Sequence, residues 1–321
     1  MHAFKVILLG MITWFMQARK LASYAVITTY QDGNRLEDVL RIVMNISPTD
    51  TPFVSGISKS KANDVIHQWV EDSLEARGDN AQVDGGTVSF SASTAPKRVV
   101  NLTQILEKTF SVSSSERWVK GAGVSDMFLY QQQKKLKALA NDLEHACLRG
   151  SMASGNDSVA RRMAGALNFI TTNATDYASG TLLVESIYNG LLELGWTAGG
   201  DIDECYVGSK MKQAISGFTA GNTRNLSADD KRLVRAIDVY DSDFGIQKIF
   251  KCRDMLQGVN GCAVMLIENS RFALAVGQPI AKVPDEEVGQ TIRGKSGILR
   301  GELTIEAKAQ NACALGKGFN Y

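Results

Sequence analysis

The 321-residue chain carries 35 Lys and Arg against 34 Asp and Glu, a formal net charge of +1, with 44% hydrophobic residues, five Cys and five Pro. A chain of this length corresponds to about two domains and buries about three quarters of its unfolded surface without disulfides. The charge balance holds by parts, with 13 basic and 12 acidic side chains in residues 1–120 and 22 of each in residues 121–321, so there is neither a basic stripe for reading nucleic acid nor an acidic tail.

Lys5 precedes an apolar stretch, Val6–Met16, that Arg19-Lys20 closes. Eleven residues fall well short of the roughly 20 that span a bilayer, so no membrane partner is expected. Three readings stay open for residues 1–20: a signal-peptide core without a clear small-x-small cleavage site, an over-called start with translation beginning at Met11 or Met16, or a floppy arm. A genuine apolar segment here would be an aggregation liability that something must cover.

Thr28 to Ser60 reads as an extended arm with one short helix. Leu36, Val39, Leu40 and Val43 have helical spacing within Arg35–Met44, and Ser47-Pro48-Thr49-Asp50-Thr51-Pro52 stops that helix and holds the next stretch extended. Asp64–Glu71 and Arg98–Val112 are rich in Val, Ile, Thr and Phe and predict two strands. Between them Ser73–Pro96 is a loose polar tip centred on Asp84-Gly85-Gly86. A long two-stranded hairpin is marginal by itself in water and should lie on something, a neighbouring subunit being the natural candidate. Ser125–Arg149 is the clearest helix, with Ser125 as N-cap, Asp126 at the positive end and Gly150 as stop. Leu129, Leu136, Ala140, Leu143 and Cys147 form its apolar face, and Gln131–Lys135, Lys137, Asn141 and Glu144 the polar one. After a Gly/Ser-rich break, helices are expected at Leu182–Leu194 and Lys210–Ile215, and strands at Glu204–Val207, Asp238–Tyr240, Lys248–Lys251 and Cys262–Ile267. Pro284–Gly297 reads as a long connection to Ile298–Ala314, a β-like segment broken by Gly301. The fold class is α+β.

Few residues suggest chemistry. Gly289-Gln290-Thr291-Ile292-Arg293-Gly294-Lys295-Ser296 satisfies G-x-x-x-x-G-K-[ST], the loop that cradles phosphates when a buried strand precedes it and a helix follows. Both flanks fail, with Pro284 and three carboxylates upstream and strand-like Ile298-Leu299 downstream, so a flexible glycine-rich loop is the stronger reading. His67 and His145 have no second ligand at metal spacing and read as structural. Cys147, Cys205, Cys252, Cys262 and Cys313 are widely spaced without a C-x-x-C pair and read as reduced thiols of a cytosolic protein. No G-x-S-x-G elbow exists, Arg77-Gly78-Asp79 is a chance tripeptide, and the sequons at Asn45, Asn101, Asn156, Asn173 and Asn225 matter only in a secreted chain. No catalytic, cofactor-binding or metal residue is assigned.

The order of elements resembles a known family through Ile46-Ser47-Pro48-Thr49-Asp50-Thr51-Pro52-Phe53, His67-Gln68-Trp69, Asp72-Ser73-Leu74, Asn101–Ile105 and Ala160-Arg161-Arg162-Met163-Ala164-Gly165. Residues 24–321 are similar to the major capsid proteins of tailed bacteriophages with the Hong Kong 97-type fold. The resemblance implies an N-terminal arm (1–60), an extended hairpin loop (61–112), a peripheral domain (113–180) built on a spine helix at 125–149, an axial domain (181–275) and a return to the peripheral domain (276–321). It implies hexamers and pentamers in an icosahedral shell around double-stranded DNA held non-specifically, with scaffolding, portal and decoration proteins as partners. It further implies a shell assembled in the host cytoplasm and resident in the virion, without enzyme activity. A cellular nanocompartment shell of the same fold and a nucleotide hydrolase using Gly289–Ser296 are the alternatives. The Lys–Asn isopeptide bond of some related shells is not expected, because the tip has Asn80 but no Lys between Lys61 and Lys97.

Overall fold

The computed structural model describes residues 50–320 apart from 76, 89, 91–92, 120–123, 125, 178–179, 219–237, 260 and 285–292, all within the unit Met44–Tyr321. The apolar segment at 6–16 and the helix expected at 35–44 lie outside the described residues. In chain order the helices are α1 (Pro52–Gly56), α2 (Ser114–Trp118), α3 (Met127–Arg149), α4 (Ala166–Phe169), α5 (Glu185–Thr197) and α6 (Ser209–Ile215). The strands are β1 (Ser58–Lys61), β2 (Ile66–Glu71), β3 (Lys97–Leu102), β4 (Gln104–Ser113), β5 (Ala174–Asp176), β6 (Glu204–Val207), β7 (Val239–Ser242), β8 (Gly245–Lys251), β9 (Gln257–Gly258), β10 (Gly261–Ile267), β11 (Phe272–Lys282), β12 (Gly294–Ala307) and β13 (Ala314–Phe319).

Cys262–Ile267 has no polar side chain, and that pattern fits a strand covered on both faces. It forms β10, in the middle of a sheet ordered β5-β13-β10-β6-β8-β7, with β9 also paired to β10. The alternation of a strand sends its side chains to two cores. Ala263, Met265, Ile267 and Tyr206 enter a large core shared with α3, while Val264, Leu266, Cys205 and Val207 enter a smaller one under α5 and α6. A second sheet, β1-β11-β12-β4, lies on the large core through Phe272, Leu274, Leu299, Leu303 and Ile305. One wall therefore serves both cores, and the chain between β6 and β10 cannot fold as a separable insert.

The expected long hairpin is split. β3 pairs with β2 from Glu71↔Lys97 to Ile66↔Leu102, whereas β4 leaves to pair with β12. The chain turns at Thr103, whose N–H is spent on Val65 O (2.9 Å), whose carbonyl accepts from Arg161 Nε (2.7 Å) and whose hydroxyl donates to Glu302 Oε1 (2.5 Å). The N–H bond extends the hairpin register one pair past Ile66↔Leu102, while the carbonyl and hydroxyl are taken by Arg161 and Glu302, so the ladder with β2 ends here. Beyond Glu71 the tip has the expected turn at Asp84-Gly85, with Gly86 N–H on Val83 O (3.0 Å) and Gly85 at φ +76°, a conformation that favours glycine.

Other differences have equally local causes. The stretch after Pro48 is not wholly extended, because Pro52 opens α1, a position where its missing N–H costs nothing. The N-cap of the long helix is Asp126, whose carboxylate accepts from Phe128 N (2.8 Å) and Leu129 N (3.3 Å), and Ser125 lies outside the described residues. Gly301 does not break its segment. A Cβ there would sit 2.5 Å from Ile280 Cγ1, so glycine lets β11 cross β12 closely where their register slips. In α3 the buried side chains are Phe128, Leu139, Leu143, Glu144, Ala146, Cys147 and Leu148. Leu143 and Cys147 of the expected apolar face are core residues, but Leu129 and Leu136 of the same face are 54% and 46% exposed, and Glu144, assigned to the polar face, is fully buried. The buried side shifts along the helix: Phe128 enters the large core from the first turn, and the other core side chains come from Leu139 onward.

Ile305, fully buried near the C-terminal end of β12, tests the shared core. Ile305→Ala should lower the unfolding free energy by about 2–5 kcal/mol in denaturant melts, through lost burial and the cavity left behind.

Candidate assembly surfaces and the joints that hold them

The described end of the I-S-P-T-D-T-P-F run, from Asp50 to Phe53, meets the long helix at a buried carboxylate. Pro52 has no N–H to leave unpaired at the start of α1, so the next donors are those of Phe53 and Val54. Both go to Glu144, on Oε1 at 2.9 Å and Oε2 at 2.8 Å. The Cys252 thiol donates to the same carboxylate across 3.6 Å. Phe53 is buried edge-to-face against Tyr206 (5.3 Å between ring centroids) and Phe272 (6.0 Å). Tyr206 Oη donates to Glu204 Oε2 (2.8 Å), and Asn269 Nδ2 ties Glu204 Oε1 (3.2 Å) to the Gly56 carbonyl (3.1 Å). A Cβ at Gly56 would stand 2.9 Å from Tyr206 Oη, so α1 ends on a residue without one. Burial pushes the Glu144 carboxyl above its ordinary value against the pull of the Val54 and Phe53 amides and the thiol, and burial raises Glu204 likewise.

The hairpin base is the second joint. Asn101, fully buried, uses its whole amide: Nδ2 donates to Ala164 O (3.1 Å) and Ile305 O (2.8 Å), and Oδ1 accepts from Ala164 N (2.9 Å) and Leu102 N (2.9 Å). Arg161 joins Thr103 O and Glu302, and Met163 N–H donates to Gln104 Oε1 (3.2 Å). The quoted N-L-T-Q-I and A-R-R-M-A-G stretches are thus two halves of one contact. Gly165 closes it, since a Cβ there would lie 2.7 Å from the Leu148 carbonyl and the Gly150 nitrogen. His67, Trp69 and Glu71 face the body from alternate positions of β2. His67 Nε2 is 3.7 Å from Glu306 Oε2, which also accepts from Ser60 Oγ (3.0 Å). Trp69 packs on Phe169, and Glu71 Oε1 accepts from Trp69 Nε1 and Ala309 N, each at 3.0 Å.

The phosphate-loop match does not make a phosphate loop. Gly289–Ile292 lie outside the described residues, but Gly294, Lys295 and Ser296 are strand residues of β12, in register with Ser113, Val112 and Ser111 of β4. A phosphate cradle needs a helix after Lys-Ser, and here a 14-residue strand runs instead. Lys295 Nζ sits 4.8 Å above the Phe128 ring. His145 Nδ1 lies 3.3 Å from Asp254 Oδ1, and the five cysteines are free thiols, all buried. Among the described residues no three His, Cys, Asp or Glu side chains gather as a metal site, and no helix is long and apolar enough to cross a membrane.

What the joints present outward is the hairpin tip. Leu74 and Phe90 are 99% and 96% exposed and Val83 and Val88 are nearly as open, while the tip's own hydrogen bonds are local, such as Ala81 N–H on Asp79 Oδ1 (3.1 Å).

Two joined sheets, a long helix and a projecting hairpin make up the Hong Kong 97-type fold of phage capsid subunits. The capsid of cyanophage A-1(L) superposes with a TM-score of 0.64 at 10% identity, over 92% of this chain and 99% of that one. The capsid of a native GTA particle does so at 0.62 and 12%, over 94% and 99%. An encapsulin from Synechococcus elongatus reaches 0.53 at 12%, over 95% of each chain. In sequence, the major capsid protein of Escherichia phage Phieco32 is 30% identical over 159 residues, 49% of this chain and 43% of that protein, so the aligned stretch spans less than half the relative's length. The SU10 major capsid protein family matches residues 25–320. The chain belongs to that family and is a major capsid protein of the tailed-phage kind.

Two substitutions test the joints. Glu144→Ala orphans two buried N–H groups and should cost about 2–5 kcal/mol in denaturant unfolding. Because burial raises the folded-state value of Glu144 above the ordinary 4.5, its contribution is fully present below that value and is lost as pH rises through the higher one. Glu144→Gln should flatten that decline in a melt series from mild acid to neutral, leaving the part due to Glu204. Asn101→Asp removes both donors and sets a carboxylate against the Ala164 and Ile305 carbonyls. It should lower stability by about 2–4 kcal/mol and raise hydrogen exchange in β2 and β3 more than in β10.

Proposed function

We propose that the chain self-assembles as hexamers and pentamers into an icosahedral phage head enclosing double-stranded DNA. The observation that carries this is the hairpin tip. An isolated subunit leaves Leu74 and Phe90 almost wholly in water, which a shell of copies relieves and a monomer does not. Residues 1–60 serve as the arm, 61–112 as the extended loop, 113–180 and 276–321 as the peripheral domain, and 181–275 as the axial domain. The role is structural rather than enzymatic. A near-zero net charge lets many copies pack without large self-repulsion, and non-specific contact with DNA suits a genome that is pumped in and later released. Scaffolding and portal proteins, and a decoration protein where one exists, complete the head in the host cytoplasm.

Expression of the full chain, alone and with the neighbouring genes, followed by negative-stain microscopy should give closed shells. Only small monodisperse particles under every condition would overturn the proposal. A shell that captures an enzyme through a docking tail encoded nearby, in place of DNA and a portal, would make it a nanocompartment instead.

A further inference from the structure

One peptide bond in the hairpin tip is arranged for a reaction that needs no enzyme. The carboxyl of an aspartate is open to attack by the backbone nitrogen of the next residue, provided that nitrogen is neither crowded nor already hydrogen-bonded. Glycine obstructs the attack least, because it has no Cβ. Among the described residues two Asp-Gly or Asn-Gly pairs are complete, Asp84-Gly85 and Asn189-Gly190. The second is locked: Gly190 lies inside α5, where its N–H is a rung of the helix, and Asn189 Oδ1 accepts from Tyr240 Oη (3.2 Å). The first is open on every count. Gly85 at φ +76° and the bond from Gly86 N–H to Val83 O (3.0 Å) make a type II turn, whose single internal hydrogen bond leaves the Gly85 amide outside it. Residues 77–88 are all exposed, and a Cβ built on Gly85 would meet nothing within 4 Å. Among the described residues the Asp84 carboxylate has no hydrogen bond or ion pair. Other aspartates nearby are tied: Asp64 Oδ1 holds Val65 N–H (2.6 Å), Asp72 Oδ1 holds Ser73 N–H (2.9 Å) and Asp79 Oδ1 holds Ala81 N–H (3.1 Å).

We infer that Asp84-Gly85 is a site of spontaneous backbone isomerisation in the unassembled subunit. The Gly85 nitrogen attacks Asp84 Cγ. A C–N bond forms, the C–OH bond of the protonated carboxyl breaks, and the amide proton leaves with that hydroxyl as water, closing a cyclic imide. Water then opens the ring at either carbonyl. Opening at Cγ returns aspartate. Opening at the former backbone carbonyl gives isoaspartate, in which the chain runs through Cβ and the old backbone carbonyl is the free carboxylate. No oxidant or reductant enters, and mass and charge are unchanged, but the main chain is longer by one methylene. The ring closed by the Gly86–Val83 bond then holds an extra atom, so the turn no longer keeps Val83 and Val88 in their present places. Resting on the shell reading above, a free subunit therefore has a limited time in which its tip keeps its native shape, and packing in a shell, which stops the Asp84-Gly85 peptide from rotating, arrests the reaction.

The test is an ageing series on the full-length chain, kept warm at neutral pH in water enriched in heavy oxygen and at a concentration too low for particles to form. Peptide mapping with electron-transfer fragmentation reads it. Each ring opening leaves one heavy oxygen at residue 84, and isoaspartate gives fragments that aspartate does not. The peptide containing Asp84 should gain both signals with time, and those containing Asp64 and Asn189 neither. Asp84→Glu, which has to close a larger and less favoured ring, should lose both signals. Asp84→Asn, whose leaving group is ammonia, should reach isoaspartate several times sooner than the wild type. In closed particles the signals at Asp84 should fall to the level of Asp64. Isoaspartate no more abundant at Asp84 than at Asp64 in the free subunit would overturn the inference, whatever the chain assembles into. Particles that isomerise as fast as free subunits would overturn the arrest by packing. A wild-type chain that makes no particles at any concentration overturns the shell reading instead, and the free-subunit series still decides the site.

Discussion

The rest of the structure hangs on one buried carboxylate. Among the described residues no lysine or arginine pairs with Glu144, which is satisfied by two amides at the start of α1 and the thiol of Cys252 just after β8. An ionised or half-ionised group in that position is costly unless every acceptor site is used. The cost makes the contact selective: only a segment offering two adjacent free N–H groups, as a proline-initiated turn does, can dock there. Where Asp50 joins the body, where α3 enters the core and where the two sheets meet are therefore settled by a single side chain.

A second constraint acts on the hairpin. Its base is fastened by directional bonds from Asn101, Thr103 and Arg161 to Glu302 and the backbone of β12, and not by apolar packing alone. Among the described residues the tip beyond it is held by local hydrogen bonds, such as Ser73 N–H on Asp72 Oδ1 and Ala81 N–H on Asp79 Oδ1.

Much of this was legible in the sequence. The long helix, its glycine stop, the polar tip with its Asp-Gly turn and the run at Cys262–Ile267 each follow from local chemistry that tertiary contacts did not override. The element order and the T-P-F and N-L-T-Q stretches carried the family. What was not legible was pairing. Glu144 falls on the polar side of a helical wheel, and nothing in its neighbours says that two amides from ninety residues upstream would take it inside. Asn101 and Thr103 sit in a run of strand formers, and only their distant partners, Ala164 and Ile305 for the one and Arg161 and Glu302 for the other, explain why the run is two strands. The phosphate-loop pattern was set aside on its flanks, and β12 gives the physical reason: eight residues specify the pattern, while the strand decides what Lys295 does. One signal was readable: a carboxylate a single residue from His145 and three from Cys147, in the part of the helix where apolar residues become dense, is poorly placed for solvent.

The seam at the hairpin base has a geometric consequence. Apolar surfaces slide on one another over many near-equivalent positions, but an amide that spends both its donors and its acceptor, as Asn101 does, has one seating. The hairpin therefore leaves every copy at the same angle. In a closed surface built by repetition, the radius is set by the small tilt between neighbours, and an error in that tilt accumulates around the circumference. A joint with a single seating places the hairpin base at the level of one side chain, so the direction in which the hairpin leaves the body is written partly in the position of Asn101.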